Sequence, residues 1–315
     1  MSYYQPAWDS EYDSTWEEDG EVQRPKKKKH KSFYKNRAAR DLQNYRHGYP
    51  DLPPATPNLE FYQNKIPFKP NGEYIDNIHQ NWREDYYTLE RNHNFIQWLF
   101  PLREQGVNSF STPLTQYEIQ LMKNDEQVVM RFLESYKLML GFYGMVLLDA
   151  DTGEVARSER NWTERFENLN NHTHNNLRIT RILKCLGEMG YEKFQAPLVR
   201  FFLEEILCNG NLPRVKTSAL DYFMFTVKNK KERQKLVHFA YMNYKPQHEF
   251  VWGPVEKLQI YQPHSGEKSF NNDSFSYYSA ENNEISENEP NKRNETLSIV
   301  RRTMRFISMP FLYFF

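Results

Sequence analysis

The residues in this chain able to ligate a metal or act as nucleophiles are few: nine histidines and two cysteines in 315 residues. His172-Thr-His174 is the one close histidine pair, and it has neither an HExxH frame nor a cysteine pair at ligand spacing beside it. It reads as a polar loop whose histidines help cap the next helix. Asp149-Ala-Asp151-Thr-Gly153-Glu154 has the oxygen-rich look of a calcium loop. The glycine and glutamate that an EF-hand needs at its sixth and twelfth positions would fall on Glu154 and Arg160, so a plain turn tipping a small hairpin is expected. Cys185 and Cys208 lie in apolar-periodic stretches and are expected to be reduced core thiols. Phosphate loops and nucleophile elbows are lacking, and Glu204-Glu205 stand on a helix, one toward solvent, with no partner to tune them. The expectation is a protein that is not an enzyme and needs no metal or other cofactor.

Charge offers a different chemistry. Lysine plus arginine and aspartate plus glutamate both total 41, so the basic excess that a specific nucleic-acid partner demands is missing. The charges are segregated, however. Asp9, Glu11, Asp13, Glu17, Glu18, Asp19 and Glu21 precede Lys26, Lys27, Lys28, Lys29 and Lys31. Blocks of this kind bury too little apolar surface to offset ordering entropy, so residues 1–32 are expected to be disordered. An accessible lysine run suits the acidic groove of a nuclear import receptor, and these five lysines are the candidate import signal; a solvated charge run is the plainer alternative. No stretch of about 18 apolar residues is present to span a bilayer, and the first 20 residues hold no apolar leader, which leaves the sequons at Asn161, Asn171, Asn272 and Asn294 as chance matches. Residues 297–315 mix Arg301, Arg302 and Arg305 with an apolar end able to lie on a lipid surface; an unstructured end is the alternative.

The scaffold follows from apolar spacing. Val129, Phe132, Leu133, Tyr136, Leu140 and Tyr143 fall at i, i+3, i+4, i+7, i+11 and i+14, one face of a helix. Gly141 and Gly144 let a neighbouring backbone approach, or loosen the last turn. Thr56-Pro57 reads as an N-cap and first helical residue, and Thr115 with Glu118 as a capping box. Residues 74–100 form a longer helical stretch interrupted near Asn92, and 161–169 a short helix. Over residues 175–189 the pattern puts Ile179, Ile182, Leu183, Leu186 and Met189 inside, and Arg178, Arg181, Lys184 and Glu188 outside. Pro197 opens a helix, Ser218 with Asp221 caps residues 219–228, and a last long helix spans 231–244. Residues 250–260 close the domain as an extended piece and a short helix. Short connections favour antiparallel packing. The predicted fold is all-α: a single irregular multi-helix domain over residues 45–261 with one small hairpin. It is flanked by disordered termini at 1–44, which can hold a helix over 33–44, and at 262–315.

Aromatic residues make up 16% of the chain and cluster as Phe95-Ile-Gln-Trp98-Leu-Phe100, Leu140-Gly-Phe-Tyr-Gly144, Phe201-Phe202 and Tyr222-Phe-Met-Phe225. Core packing is the first reading of each; a groove for a peptide is the second. With these segments the chain resembles the conserved region of the opioid growth factor receptor family. The resemblance runs through Asp13-Ser-Thr-Trp-Glu-Glu-Asp19, Tyr45-Arg-His-Gly-Tyr-Pro-Asp-Leu52, Ile96-Gln-Trp-Leu-Phe-Pro-Leu-Arg-Glu104, His174-Asn-Asn-Leu-Arg-Ile-Thr-Arg-Ile-Leu-Lys184, Gln195-Ala-Pro-Leu-Val-Arg-Phe-Phe-Leu-Glu-Glu205 and Val251-Trp-Gly-Pro254. It implies a receptor, unlike the seven-helix opioid receptors, for the opioid peptide Met-enkephalin. It further implies negative regulation of cell growth, a location in the nucleus, nuclear envelope and cytoplasm, and peripheral association with the envelope. A receptor-like group shares the domain, so a nuclear scaffold with no peptide ligand is the alternative. An enkephalin presents an ammonium, a phenol and a phenyl ring. A carboxylate beside aromatics would receive it, as at Asp221, Tyr222 and Phe225, or at Glu204, Phe201 and Phe202; the plainer reading is that Asp221 caps its helix and the rings pack.

Overall fold

Asp125 starts the central helix. Its carboxylate accepts from Gln127 N (3.0 Å) and Val128 N (3.3 Å), satisfying two amides of the first turn of α7 (Glu126–Phe142). The computed structural model describes residues 13–16 and 33–262 of the chain. All six residues of the predicted α7 stripe are buried, with Phe132 at 0% exposure. The helix ends at Gly144, whose φ of +78° suits glycine, and a Cβ there would lie 2.9 Å from Trp162 Cα. Gly144 thus brings α8 (Trp162–Asn171) against α7, while a Cβ on Gly141 would meet nothing. Between them sits the expected hairpin. Strands β1 (Met145–Leu147) and β2 (Val155–Arg157) pair antiparallel, Val146 opposite Ala156. Arg157 fastens the hairpin to the buried Glu205 through two 2.8 Å bonds.

The N-terminal half is built from short pieces. The expected helical stretch over 74–100 breaks near Asn92 as read and a second time before Asp85, giving α3 (Ile75–Asn81), α4 (Tyr86–Arg91) and α5 (Ile96–Leu99). Asp85 breaks the first pair by capping α4, accepting from Thr88 N at 3.0 Å; Asn92 closes α4 and its side chain accepts from Asn94 N. Two capping readings hold in part: a helix starts at Pro57 after Thr56, and the Thr115 hydroxyl accepts from Glu118 N at 3.1 Å, but the other bonds differ. Thr56 makes no cap bond to α2 (Pro57–Tyr62). Glu118, on α6 (Gln116–Asn124), reaches across instead of back to Thr115, and accepts from Asn58 N (2.8 Å) and Leu59 N (3.0 Å). One carboxylate from another helix thus meets the two amides at the start of α2 that the Thr56 side chain leaves uncapped.

The largest departure concerns α9 (Asn175–Glu188). The predicted apolar face is buried, yet so are Arg178, Lys184 and Glu188, at 4%, 3% and 8% exposure, while Arg181 is half-buried. The expected solvent face is covered because its cations end other elements. Arg178 donates to Leu89 O (2.8 Å), Glu90 O (3.1 Å) and Asn92 O (2.9 Å), the carbonyls that α4 leaves unpaired at its C-terminus. Arg181 donates to Phe100 O at 3.0 Å, beyond α5. Lys184 lies between Asp41 (2.8 Å) and Glu104 (2.9 Å). Asp41 belongs to α1 (Phe33–His47), whose Leu42 and Tyr45 are buried, so the packed region begins before the expected boundary at residue 45.

Helix α10 (Glu192–Leu207) starts a turn before Pro197, which sits inside it. Ser218 caps nothing. The chain runs on as α11 (Lys216–Ser218), a π-helical turn (Ala219–Phe223) and α12 (Met224–Thr226). Then follow α13 (Lys230–Asn243), capped by Asn229, and α14 (Val255–Ile260). Residues 13–16, expected in a disordered tail, hold a 3-10 turn (Ser14–Trp16) with Asp13 and Thr15 buried. The import lysines and residues 297–315 lie outside the described residues.

Two outcomes follow. Arg178→Met takes the shared donor from the carbonyls of Leu89, Glu90 and Asn92, one buried and two partly buried, and is expected to cost roughly 3–5 kcal/mol in urea denaturation, with no rescue by Lys, which lacks the fork; a loss below about 1 kcal/mol, no more than one ordinary hydrogen bond contributes, refutes the ladder. His79 contacts Ser135 Oγ at 2.9 Å, and burial holds its imidazole down to about 4 against Glu134 and Asp76, with Arg83 and Arg131 adding to the depression. The unfolded chain then binds more protons than the fold between pH 6.5 and about 4. Stability is full above that window and falls through it by on the order of 2 kcal/mol. Denaturation of His79→Gln at pH 7 and pH 4 should show a smaller loss; an equal loss removes His79 as the cause.

Candidate functional site

The hairpin, the outer side of α7 and the loop before α4 enclose an open cleft of about 560 Å3. Its volume falls within the range of sites that take small ligands, roughly 300–1,000 Å3. Leu138, Met145, Val146 and Leu147 give it an apolar wall, and Gly141 an unobstructed floor. Arg83 and Lys137 line one part and share Glu134, at 2.7 and 3.0 Å. Glu84 and Arg160 line another and pair at 3.2 Å. Tyr86 lies between chemistry and core: its hydroxyl accepts from Asn161 Nδ2 at 2.7 Å, and the Arg165 guanidinium lies 4.6 Å from its ring centroid. Burial raises the Tyr86 phenol above its ordinary value, so it stays neutral. Arg165 is buried, donates to Phe142 O at 2.8 Å, and is placed by the Gly144 turn. The cleft thus offers a carboxylate, a cation pair and a ring around an apolar wall.

Sequence reasoning did not reach these residues. They come from four separated segments, none with a motif. The available signals were the hairpin turn and the glycines at the end of α7, Gly141 inside it and Gly144 just beyond, which shape the cleft without naming its polar groups.

The residues singled out by sequence are placed elsewhere and serve other contacts. Phe202 and Phe225 are buried at 0% and 5%, and Phe202 packs on Phe223 at 5.4 Å. Phe201 stacks edge-on with Phe166 and Phe202. Glu204 accepts from Arg200 Nε at 2.6 Å, and that guanidinium lies 3.3 Å from the Phe239 ring centroid. Asp221 accepts from Trp252 Nε1 at 2.7 Å, fastening the closing segment instead of capping a helix. Tyr222 is half-buried against the core. The void beside Phe202 measures about 10 Å3, too little for a ligand.

His172 and His174 stand with His93, ring centroids 6.0 and 5.1 Å from His174. His174 Nε2 lies 2.6 Å from Glu90 Oε1, yet His174 makes no helix cap bond. Among the described residues no histidine, cysteine and carboxylate group has the geometry of a metal site. Cys185 is buried and its thiol pushed up by desolvation, as expected of a core thiol. Cys208 is exposed, which corrects the expectation that both are core thiols; it ends α10 where the helix meets solvent.

Architecture and cleft together define, among the described residues, an all-α domain with a single small hairpin and a solvent-open, mixed-charge pocket. No helix among the described residues is long and apolar enough to cross a membrane. Residues 52–259 match the family model described as the opioid growth factor receptor conserved region. The chain is 55% identical to the opioid growth factor receptor of Mus musculus, over 73% of this chain and 37% of that protein. The human protein of that name is 55% identical, over 73% and 34%. Opioid growth factor receptor-like protein 1 of Mus musculus is 50% identical, over 76% and 52%. The chain belongs to the opioid growth factor receptor family. It spans about a third to a half of the length of these relatives. No solved structure matches it.

Proposed function

We propose that this chain is a receptor-like protein, not an enzyme, that binds a short opioid peptide, Met-enkephalin acting as opioid growth factor, and restrains cell growth. The observation that carries the site is the cleft bordered by Glu84, Tyr86, Arg83 and Lys137. A free peptide is a zwitterion with rings. Glu84 suits its ammonium, Tyr86 and the apolar wall a ring, and Arg83 with Lys137 its carboxylate. The competing partners are weak: Glu84 and Arg160 are 68% and 82% exposed, so their pair contributes about 0–1 kcal/mol and gives way easily, and Arg83 and Lys137, at 54% and 37%, meet Glu134 in surface pairs of the same kind. Glu204 and Asp221 are committed to Arg200 and Trp252, and a ligand there would have to displace those contacts. The names of the relatives support the receptor reading.

Titration calorimetry of Met-enkephalin into the full chain tests both levels. Binding is expected, weakened about tenfold or more in Glu84→Gln and Tyr86→Ala, roughly 1.4 kcal/mol each. Loss at Asp221→Asn with Glu84→Gln unaffected would move the site to Asp221, Tyr222 and Phe225. No binding at millimolar peptide sinks the receptor reading in favour of a nuclear scaffold with no peptide ligand.

We further propose that the chain works in the nucleus and at the nuclear envelope as well as the cytoplasm, carried by an import receptor that takes Lys26, Lys27, Lys28, Lys29 and Lys31. A fluorescent fusion with the first four changed to Ala should lose nuclear enrichment. Enrichment equal to the parent rules the signal out.

A further inference from the structure

We propose that α13, α14 and the end of α1 form a second peptide-recognition slot, one that takes a carboxylate, a hydroxyl and an indole in the spacing Asp-x-Thr-Trp. Residues 13–16 fill it as an intrachain ligand that a partner protein's segment of the same chemistry can replace. The slot shares no residue with the cleft and does not depend on opioid-peptide binding.

The contacts are those of a ligand in a built site. Asp13 accepts from Arg46 Nη2 at 2.6 Å and lies 3.9 Å from Arg233 Nε. The Thr15 hydroxyl accepts from Arg233 Nε at 2.8 Å and donates to Asp13 Oδ1. The peptide backbone is read as well: Thr15 O accepts from Gln234 Nε2 at 3.1 Å, and Trp16 O from Lys257 Nζ at 2.9 Å. The Trp16 ring stands edge-on to Tyr261 at 5.2 Å, over Gly253, where a Cβ would come within 3.2 Å of the indole nitrogen. Carboxylate, hydroxyl, two carbonyls and a ring are each received by a different side chain, over four consecutive residues.

The slot is held open by the fold. Arg46 donates to Phe225 O, and Arg233 to Val227 O at 2.6 Å and Lys228 O at 3.1 Å, so both guanidiniums are fixed by the carbonyls around the end of α12. Both are buried, at 6% and 5% side-chain exposure, and each repels the other. Asp13 is the carboxylate that offsets them. A slot with two fixed buried cations requires an anion, from this chain or from another. Sixteen residues of sequence separate Trp16 from the start of α1, and a segment covalently joined at that separation competes at a millimolar-range local concentration. A partner segment must outcompete that, which makes the site selective for a tight or locally concentrated ligand.

The test uses the full chain and a labelled, end-blocked peptide with the sequence of residues 11–18. Asp13→Ala/Trp16→Ala chain should bind it, saturably by fluorescence anisotropy. The parent chain should bind at least about tenfold more weakly, because its own segment competes. A peptide with Ala at the Asp13 position should lose binding to the same double variant, which separates recognition from folding defects. Trp16→Ala alone, which keeps Asp13 between the two guanidiniums, covers the case in which the double variant fails to fold; it should bind the peptide better than the parent. No binding by either folded variant, or equal binding of the Ala peptide, overturns the proposal. Concentration-dependent dimerisation of the parent chain that is lost in the double variant would give the slot to a second copy and overturn the partner assignment.

Discussion

Three cations on one helix, Arg178, Arg181 and Lys184, set the terms for the rest of the structure. Spaced three apart, they point along one side of α9, and that side is inside the protein. A buried cation without partners costs several kcal/mol, so each must meet an acceptor. The acceptors are the C-terminal carbonyls of α4, the carbonyl of Phe100 after α5, and the carboxylates Asp41 and Glu104. Helices of six and four residues cannot hold themselves; isolated helices below about 12 residues are marginal in water. Here their ends are written into a neighbouring helix. The N-terminal half is therefore irregular in sequence and still well fixed.

This explains which parts of the fold can be read from sequence. Helix α7 is legible because it packs by its apolar stripe, and a stripe is visible in spacing. The hairpin is legible because a turn is local. The ladder on α9 is not, because an arginine that caps a distant helix has the same residue type as one facing water. Glu118 shows the same limit: its amide bonds the Thr115 hydroxyl as the capping-box spacing suggests, while its carboxylate finds its partners about sixty positions away in sequence on α2. Residues 13–16 are hidden for the opposite reason. Their acidic surroundings read as tail, and only Arg46 and Arg233, brought together by folding, give Asp13 a place to be buried.

The cleft is the by-product of one backbone constraint. Gly144 turns the chain out of α7, lets α8 approach, and sets Arg165 over Tyr86 and Phe142, at 4.6 and 4.8 Å. The hairpin that follows cannot lie flat on α7, since Arg157 ties its second strand to Glu205 on α10. Space is left where Gly141 has no neighbour. The aromatic residues that drew attention in the sequence mostly fill the core, and the rim is set by residues of no distinctive pattern. Candidate ligand residues chosen by aromatic density were therefore bound to land in the interior.

Helix α1 ties the two halves of this picture together. Arg46 holds the carboxylate of residue 13, and the adjacent Tyr45 donates its hydroxyl to Lys184 O and accepts from Gln195 Nε2 at 3.0 Å. Asp41, one turn earlier, is an anion for Lys184. One helix thus carries both a member of the buried ladder and a wall of the slot. Gln195 in turn donates to Leu183 O and Thr226 O, the second of these beside the carbonyls that orient Arg46 and Arg233. The positions of the two guanidiniums are consequently set by the same hydrogen bonds that pack α9 against α10 and α12. Vacating the slot leaves those bonds in place and removes the Asp13 carboxylate together with the contacts of Thr15 and Trp16. A site fixed by core contacts and balanced by a tethered carboxylate can exchange its ligand without unfolding its walls, which is the physical requirement for using it more than once.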